Sequence, residues 1–242
     1  MRVLRAELAK LLSLPFARVA VVTGLVVPPG IAVISNLTSE PGTDNALAAM
    51  AVGVLGAIIL GVIAISSEYT VEGEESAGGS QITTTLTAAP IRWRVLVAKA
   101  AAVILVTVPM TILALALITV STRLLWGPTA MDLGPDTLVR MAGVITYWVL
   151  TALIGLAVTI LTRNGIVPMA IMIANSSAVT VTYLLARSFS WANYLPDLAG
   201  LRMFTGLDTG VHLTPGTGGL IMVGWTALLM IIAGVVFWRR DA

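Results

Sequence analysis

Few side chains of this protein could do chemistry, and none of them forms a recognisable catalytic set. The chain has one histidine, His212, two lysines, Lys10 and Lys99, and no cysteine. One histidine makes neither a zinc site nor a catalytic triad, and a chain without cysteine has no thiolate chemistry. Neither lysine ends the G-x-x-x-x-G-K-[ST] loop that binds nucleotide phosphates. The sequence therefore predicts a chain that is not an enzyme, that binds no cofactor itself and that cannot hydrolyse ATP alone by the P-loop route.

Ionisable side chains are also missing from the middle of every long apolar segment. Ion-coupled carriers and intramembrane proteases place such groups at membrane depth, so these classes are disfavoured. The strongest polar cluster within an apolar segment is Asn175, Ser176 and Ser177. These side chains are costly in lipid and must face protein or water. They either bond neighbouring helices or line a substrate path.

The composition indicates what surrounds the chain. Of the 242 residues, 57% are hydrophobic and 11% are charged, whereas a soluble domain has about 25% charged residues. This composition excludes an ordinary soluble domain, a disordered chain and a nucleic-acid-binding protein. Membrane lipid is the expected surrounding, and no nucleic acid is expected as a partner.

Six segments are apolar and long enough to cross a bilayer, since its hydrocarbon core of about 30 Å needs about 20 helical residues. They cover roughly 16–34, 46–65, 95–120, 139–161, 166–186 and 218–238. With both termini cytoplasmic, ten basic residues lie inside and four outside, which satisfies the positive-inside rule. We therefore expect an all-α integral membrane fold, with residues 1–242 forming one six-helix domain. The leucine pattern of residues 1–15 predicts an amphipathic interfacial helix.

Small side chains recur every four residues in the second segment, at Ala49, Gly53, Ala57 and Gly61. Such a stripe lets another helix backbone approach closely. The partner helix belongs either to the same chain or to a second subunit.

The one sizeable cytoplasmic excursion, residues 66–94, has unusual content. Its first ten residues include four glutamates. Gly78-Gly79 follows, and then a threonine-rich stretch without charge over residues 81–89. An uncharged, semi-apolar loop is expected to pack against something. That surface is either a partner protein, the membrane surface or the neighbouring helices.

This part of the chain contains, in order, EY, an acidic glycine-rich spacer, QITTTLTAAP, a basic pair and VLVAK. This run resembles the permease subunits of type-2 ATP-binding-cassette (ABC) exporters, especially actinobacterial ones. The likeness extends more loosely to the basic start, the six segments, and the YLPDLAG sequence in the predicted external loop of residues 187–217. In such exporters the permease works as a dimer in the plasma membrane. Its cytoplasmic segment between the second and third helices couples to separate ATPase subunits.

The resemblance implies two ATPase subunits as partners, which bind ATP and Mg²⁺, and a second permease copy or a paralogue. It also implies that the following residues form or support the ATPase contact: Glu68, Tyr69, Gln81, Thr83, Thr84, Thr85, Leu86, Pro90, Arg92 and Arg94. The external loop would then be a partly re-entrant gate, although its apolar content also suits a loop resting on the membrane. The substrate would be apolar or amphipathic. A rival interpretation with the same topology is a non-transporting anchor or assembly subunit for a soluble complex.

Overall fold

The computed structural model describes residues 2–69, 92–176, 181–207 and 209–239. Within these ranges the chain is helical and contains no strand. We number the α-helices α1 to α10 in chain order. They are Arg2–Ser13, Pro15–Thr38, Thr43–Gly53, Leu55–Ser66, Arg92–Trp126, Pro135–Thr162, Ile166–Asn175, Val181–Ser188, Pro196–Leu201 and Pro215–Arg239. A 3₁₀-helix, Ser190–Tyr194, precedes α9.

The described residues include five helices that are long and apolar enough to cross a membrane. They are α2, the continuous pair α3 and α4 (Thr43–Ser66), α5, α6 and α10. Each contains at least 24 residues, and a helix of that length spans about 36 Å at 1.5 Å per residue. The predicted all-α fold with several helices able to cross a membrane is confirmed for the described residues.

The fifth predicted segment, residues 166–186, is not one continuous helix in the part of the chain that the structure describes. Helix α7 ends at Asn175, where the N–H of Ser176 bonds the carbonyls of both Ile173 and Met172. The Ser176 hydroxyl also donates to the Met172 carbonyl at 2.8 Å. Serine side chains compete in this way with the helical hydrogen-bond pattern. Residues 177–180 lie outside the described ranges and α8 begins at Val181, so a sixth span stays a prediction.

Helix α4 is the most enclosed element, and the small-residue stripe is the reason. A Cβ at Gly61 would lie 2.0 Å from the carbonyl oxygen of Ala152 in α6, so only glycine permits this approach. A Cβ at Gly53 would lie 2.2 Å from Pro28 of α2 and 2.7 Å from the Trp148 ring. Ala49 and Ala57 are buried as well. The stripe therefore packs inside the chain's own bundle.

The break between α3 and α4 at Val54 also involves Trp148. Its indole N–H donates to the carbonyl oxygen of Met50 at 3.0 Å. In an uninterrupted helix that carbonyl would accept from the N–H of Val54, which bonds the Val52 carbonyl instead. A side chain that inserts into the helical hydrogen-bond pattern is a recognised cause of such a break.

The residues predicted to form the interfacial helix are helical, as α1, and this helix packs against the start of α5. Leu11 is buried, and Leu4 and Leu8 pack against the core. Leu12 is half exposed. The polar residues of α1 do not all face away from the leucines, as an amphipathic helix would require, since Glu7 is also buried.

The loop between α8 and α10, which the sequence analysis predicts to be external, packs into the bundle. Leu198 and Phe204 are buried, and the Phe204 ring lies 5.3 Å from the Tyr147 ring of α6. Arg140 of α6 donates to the Phe204 carbonyl at 2.9 Å and pairs with Asp44 at 2.7 Å. The loop is therefore held to α6 by both apolar and polar contacts.

Candidate functional site

Four charged side chains meet where α1, the end of α4 and the start of α5 come together. The Lys99 ammonium donates to Oε2 of Glu7 at 2.7 Å and to Oε1 of Glu68 at 2.8 Å. It also donates to the Ala64 carbonyl at 3.1 Å. Lys10 donates to the same Glu68 oxygen at 2.6 Å. We call Glu7, Lys10, Glu68 and Lys99 the charge cluster.

Local structure places each member of the cluster. Glu7 and Lys10 are three residues apart, which puts them on one face of α1. Glu68 follows α4 by two residues, in a turn closed by its N–H on the Ile65 carbonyl. Lys99 lies seven residues after the start of α5. The cluster therefore joins the N-terminal helix to both ends of the segment that connects α4 and α5.

Burial separates the two lysines. The Lys99 side chain is 3% exposed and Glu68 is completely buried, whereas the Lys10 side chain is 31% exposed. An ammonium group has three N–H donors, and Lys99 has three acceptors. A buried charge is tolerated only with such complete pairing and hydrogen bonding, so Lys99 depends on both glutamates.

The cluster is electrically neutral, with two carboxylates and two ammonium groups. Burial alone would raise the pKa of the Glu68 carboxyl, but the nearby Lys99 and Lys10 charges and their hydrogen bonds oppose this effect and prevail. The pKa of Glu68 therefore lies below its ordinary value of 4.5. Glu68 is ionised at neutral pH and remains available to both lysines.

The structure describes three of the residues assigned to the ATPase contact. Glu68 is buried within the cluster, so its side chain can support that contact but cannot form its outer surface. Tyr69 is partly buried at the rim of an apolar groove of about 820 Å³ between the starts of α2 and α7. Arg94 is exposed, with its guanidinium 5.7 Å from the centre of the Trp93 ring.

The remaining residues of that assignment cannot be placed. The side chain of Arg92 and all of Gln81, Thr83, Thr84, Thr85, Leu86 and Pro90 lie outside the described structure.

The sequence analysis missed three members of the cluster, namely Glu7, Lys10 and Lys99. One signal was present, since Lys99 lies within an apolar run and an intramembrane lysine requires a partner. The identity of that partner was not visible, because Glu7 and Lys99 are 92 residues apart.

A second polar group lies toward the opposite end of the bundle. The Asn175 side-chain amide donates to Oδ2 of Asp197 at 2.8 Å, and the Thr182 hydroxyl donates to the same oxygen. Asn175, Ser176 and Asp197 line a cleft of about 530 Å³ between α2, α3, α6 and the helices α7 to α9. Asn175 and Ser176 of the predicted substrate path therefore border a cavity, while Ser177 lies outside the described residues.

Neither polar group has the composition of a metal centre. Among the described residues, no three histidine or acidic side chains lie close enough together to hold a metal ion. The charge cluster can fix helices relative to one another, and the cleft can accommodate a small molecule.

Comparison with known proteins adds no relative to these observations. No protein-family model matches the chain, and no curated protein matches it at a significant level. The functional argument therefore rests on the residues and their geometry.

Proposed function

We propose that this protein is the membrane-spanning subunit of an ABC exporter of the type-2 family. In this proposal it moves an apolar or amphipathic substrate outward by alternating access. Two such subunits, identical or paralogous, cross a bacterial plasma membrane together. Two separate ATPase subunits supply the energy, with ATP and Mg²⁺ bound on those subunits.

The observation that carries the proposal is the ion pair between Glu68 and Lys99. Glu68 lies at the start of the segment of residues 66–94, and Lys99 lies just after its end. The 2.8 Å contact between them fixes the two ends of this segment to each other and, through Glu7, to α1. A partner that pushes on this segment would displace α1, α4 and α5 together.

The location of the two polar groups supports the same mechanism. Helix α2 runs from the charge cluster toward the cleft, since its first residues adjoin α1 and Ser35 near its end lines the cleft. Because α2 is one helix from Pro15 to Thr38, it can transmit a movement of the helices at the cluster to the cleft. ATP binding would shift the population between inward-open and outward-open arrangements through such a movement.

The proposed topology places the charge cluster at the cytoplasmic side. In this topology both termini are cytoplasmic, which the distribution of basic residues favours. In this arrangement α7 and α8 together form the remaining membrane-spanning segment, which is the fifth in chain order. The segment of residues 66–94 then faces the cytoplasm, where an ATPase can reach it.

The test introduces charge into the threonine-rich stretch, with Thr84→Glu and Leu86→Glu combined in one variant. If this stretch docks into an ATPase, the two carboxylates become buried without partners, which is costly. We expect the amount of copurified ATPase to fall at least about tenfold, with unchanged membrane insertion. Equal copurification by the variant and the wild-type chain would contradict the proposed contact.

The chain offers a matched control. Thr129 and Leu133 are exposed in the loop between α5 and α6, on the opposite side of the membrane in the proposed topology. The combined Thr129→Glu and Leu133→Glu variant changes the same residue types by the same charge. It should copurify the ATPase as well as the wild-type chain does.

A further inference from the structure

Among the described residues that line the cleft of about 530 Å³, Asp197 is the one with a charged side chain. Asp197 lies in the first turn of α9, and its carboxylate borders the cavity. None of the described residues that line the cleft is basic. Arg202, which follows α9, donates instead to Asn193 at 2.9 Å and to Thr209. Within the described part of the cleft wall, no basic side chain therefore neutralises the negative charge of Asp197.

Neutral donors hold this carboxylate in position. Asn175 and Thr182 both donate to Oδ2 of Asp197. Two hydrogen bonds to one oxygen fix the orientation of the group while leaving it charged. The site is thus organised around a carboxylate that a ligand can approach.

The remaining wall of the cleft is largely apolar and includes two aromatic rings. Ile31 and Leu198 supply aliphatic surface, and Tyr147 and Tyr183 lie along the same cavity. Aromatic faces attract organic cations as well as apolar groups. The volume falls within the range of small-molecule sites, about 300 to 1,000 Å³, and far exceeds the space that a bare metal ion requires.

We infer that the cleft binds an organic cation with an apolar body, and that such cations are the substrate class of the exporter. That these cations are transported substrates rests on the proposed function, whereas the binding site itself does not depend on an ATPase. The carboxylate of Asp197 supplies the charge recognition, and the aliphatic and tyrosine side chains contact the apolar body. An anion of the same shape is rejected, because the cleft offers it a negative charge and no basic partner.

The test compares tetraphenylphosphonium with tetraphenylborate, which carry four phenyl groups each and opposite charges. Binding is measured by equilibrium dialysis against the purified chain in a nonionic detergent, with protein-free micelles as the reference. We expect saturable binding of the phosphonium at least about tenfold tighter than that of the borate. Equal binding of the two ions, or no saturable phosphonium binding, would overturn the inference, and this comparison needs no variant.

Variants then locate the site. Asp197→Asn should weaken phosphonium binding about tenfold or more, whereas Asp197→Glu, which keeps the charge, should stay close to the wild type. Asp132→Asn removes a carboxylate from an exposed loop outside the cleft and should leave binding unchanged. Unchanged binding in Asp197→Asn would contradict the assignment.

The outcome also separates the two proposals. Phosphonium binding by a chain that copurifies no ATPase would refute the exporter and leave the cation site intact. ATPase copurification without charge-selective binding would refute the cation site alone.

Discussion

Replacing Lys99 with methionine should destabilise the protein far more than the same replacement at Lys10. Both ammonium groups contact Oε1 of Glu68, at 2.8 Å and 2.6 Å, so distance does not distinguish them. Burial does, with side chains 3% and 31% exposed. Breaking a buried pair costs about 3 to 5 kcal/mol because it leaves an uncompensated charge. Lys10 is partly solvated, and without it Glu68 keeps Lys99 as its partner, so the loss of Lys10 should cost only about 1 kcal/mol or less.

The measurement is thermal unfolding in detergent, followed by the fluorescence of the six tryptophans. For a chain of this size 1 kcal/mol shifts Tm by about 2 to 4 °C, so Lys99→Met should lower Tm by roughly 6 to 20 °C. Lys10→Met should lower it by no more than about 4 °C. Equal shifts in the two variants would refute the argument from burial.

A double variant tests the cause of the loss. Lys99→Met leaves Glu7 buried without its partner. Adding Glu7→Gln removes this charge and should restore about 1 to 3 kcal/mol. A further loss of stability on adding Glu7→Gln would mean that lost packing, and not an unpaired carboxylate, explains the first effect.

Three further predictions follow from the structure and the proposed topology. Because the pKa of Glu68 is lowered in the folded protein, its contribution to stability is complete above about pH 4.5 and is lost as the pH falls through the lowered value. Tm should therefore decrease more steeply below pH 4.5 in the wild type than in Glu68→Gln. Parallel curves of Tm against pH would contradict this prediction. Gly61→Ala should lower the free energy of unfolding by about 1 to 3 kcal/mol, because the added Cβ meets the Ala152 carbonyl. At Gly224 nothing lies within 4 Å of an added Cβ, so in the same unfolding assay Gly224→Ala should be neutral or stabilising by about 0.5 to 1 kcal/mol. Single cysteines placed in this cysteine-free chain should be labelled from the cytoplasmic side at position 78 and from the outside at position 132; outside labelling at position 78 would reverse the topology.

Hydropathy was sufficient to predict the fold class, because the bilayer requires long apolar helices and the sequence provides them at regular intervals. It did not predict the discontinuity of the fifth segment. Asn175 and Ser176 were recognised there as polar, but not as residues at which the helix ends. A window of average hydropathy cannot detect a side chain that donates to a helical backbone carbonyl, as the Ser176 hydroxyl and the Trp148 indole do.

The candidate sites were predictable to different degrees. Asn175 stood out as an amide within an apolar segment, and it lines the cleft. Asp197 was part of a noted sequence in the external loop, but its proximity to Asn175 depends on how α9 packs. The pairing of Lys99 with Glu7 and Glu68 is tertiary. Glu68 lies 31 residues before Lys99, and Glu7 lies 92 residues before it. No local pattern specifies such a contact.

The composition of the native complex tests the central claim most directly. The chain is given an affinity tag at its own chromosomal locus, extracted in a mild detergent and analysed by native mass spectrometry. The proposal predicts an assembly with two six-segment permease subunits, at least one of them this chain, and two subunits that carry a P-loop. Recovery of this chain only alone, or only with a soluble complex that lacks a P-loop protein, would contradict the exporter and favour a membrane anchor.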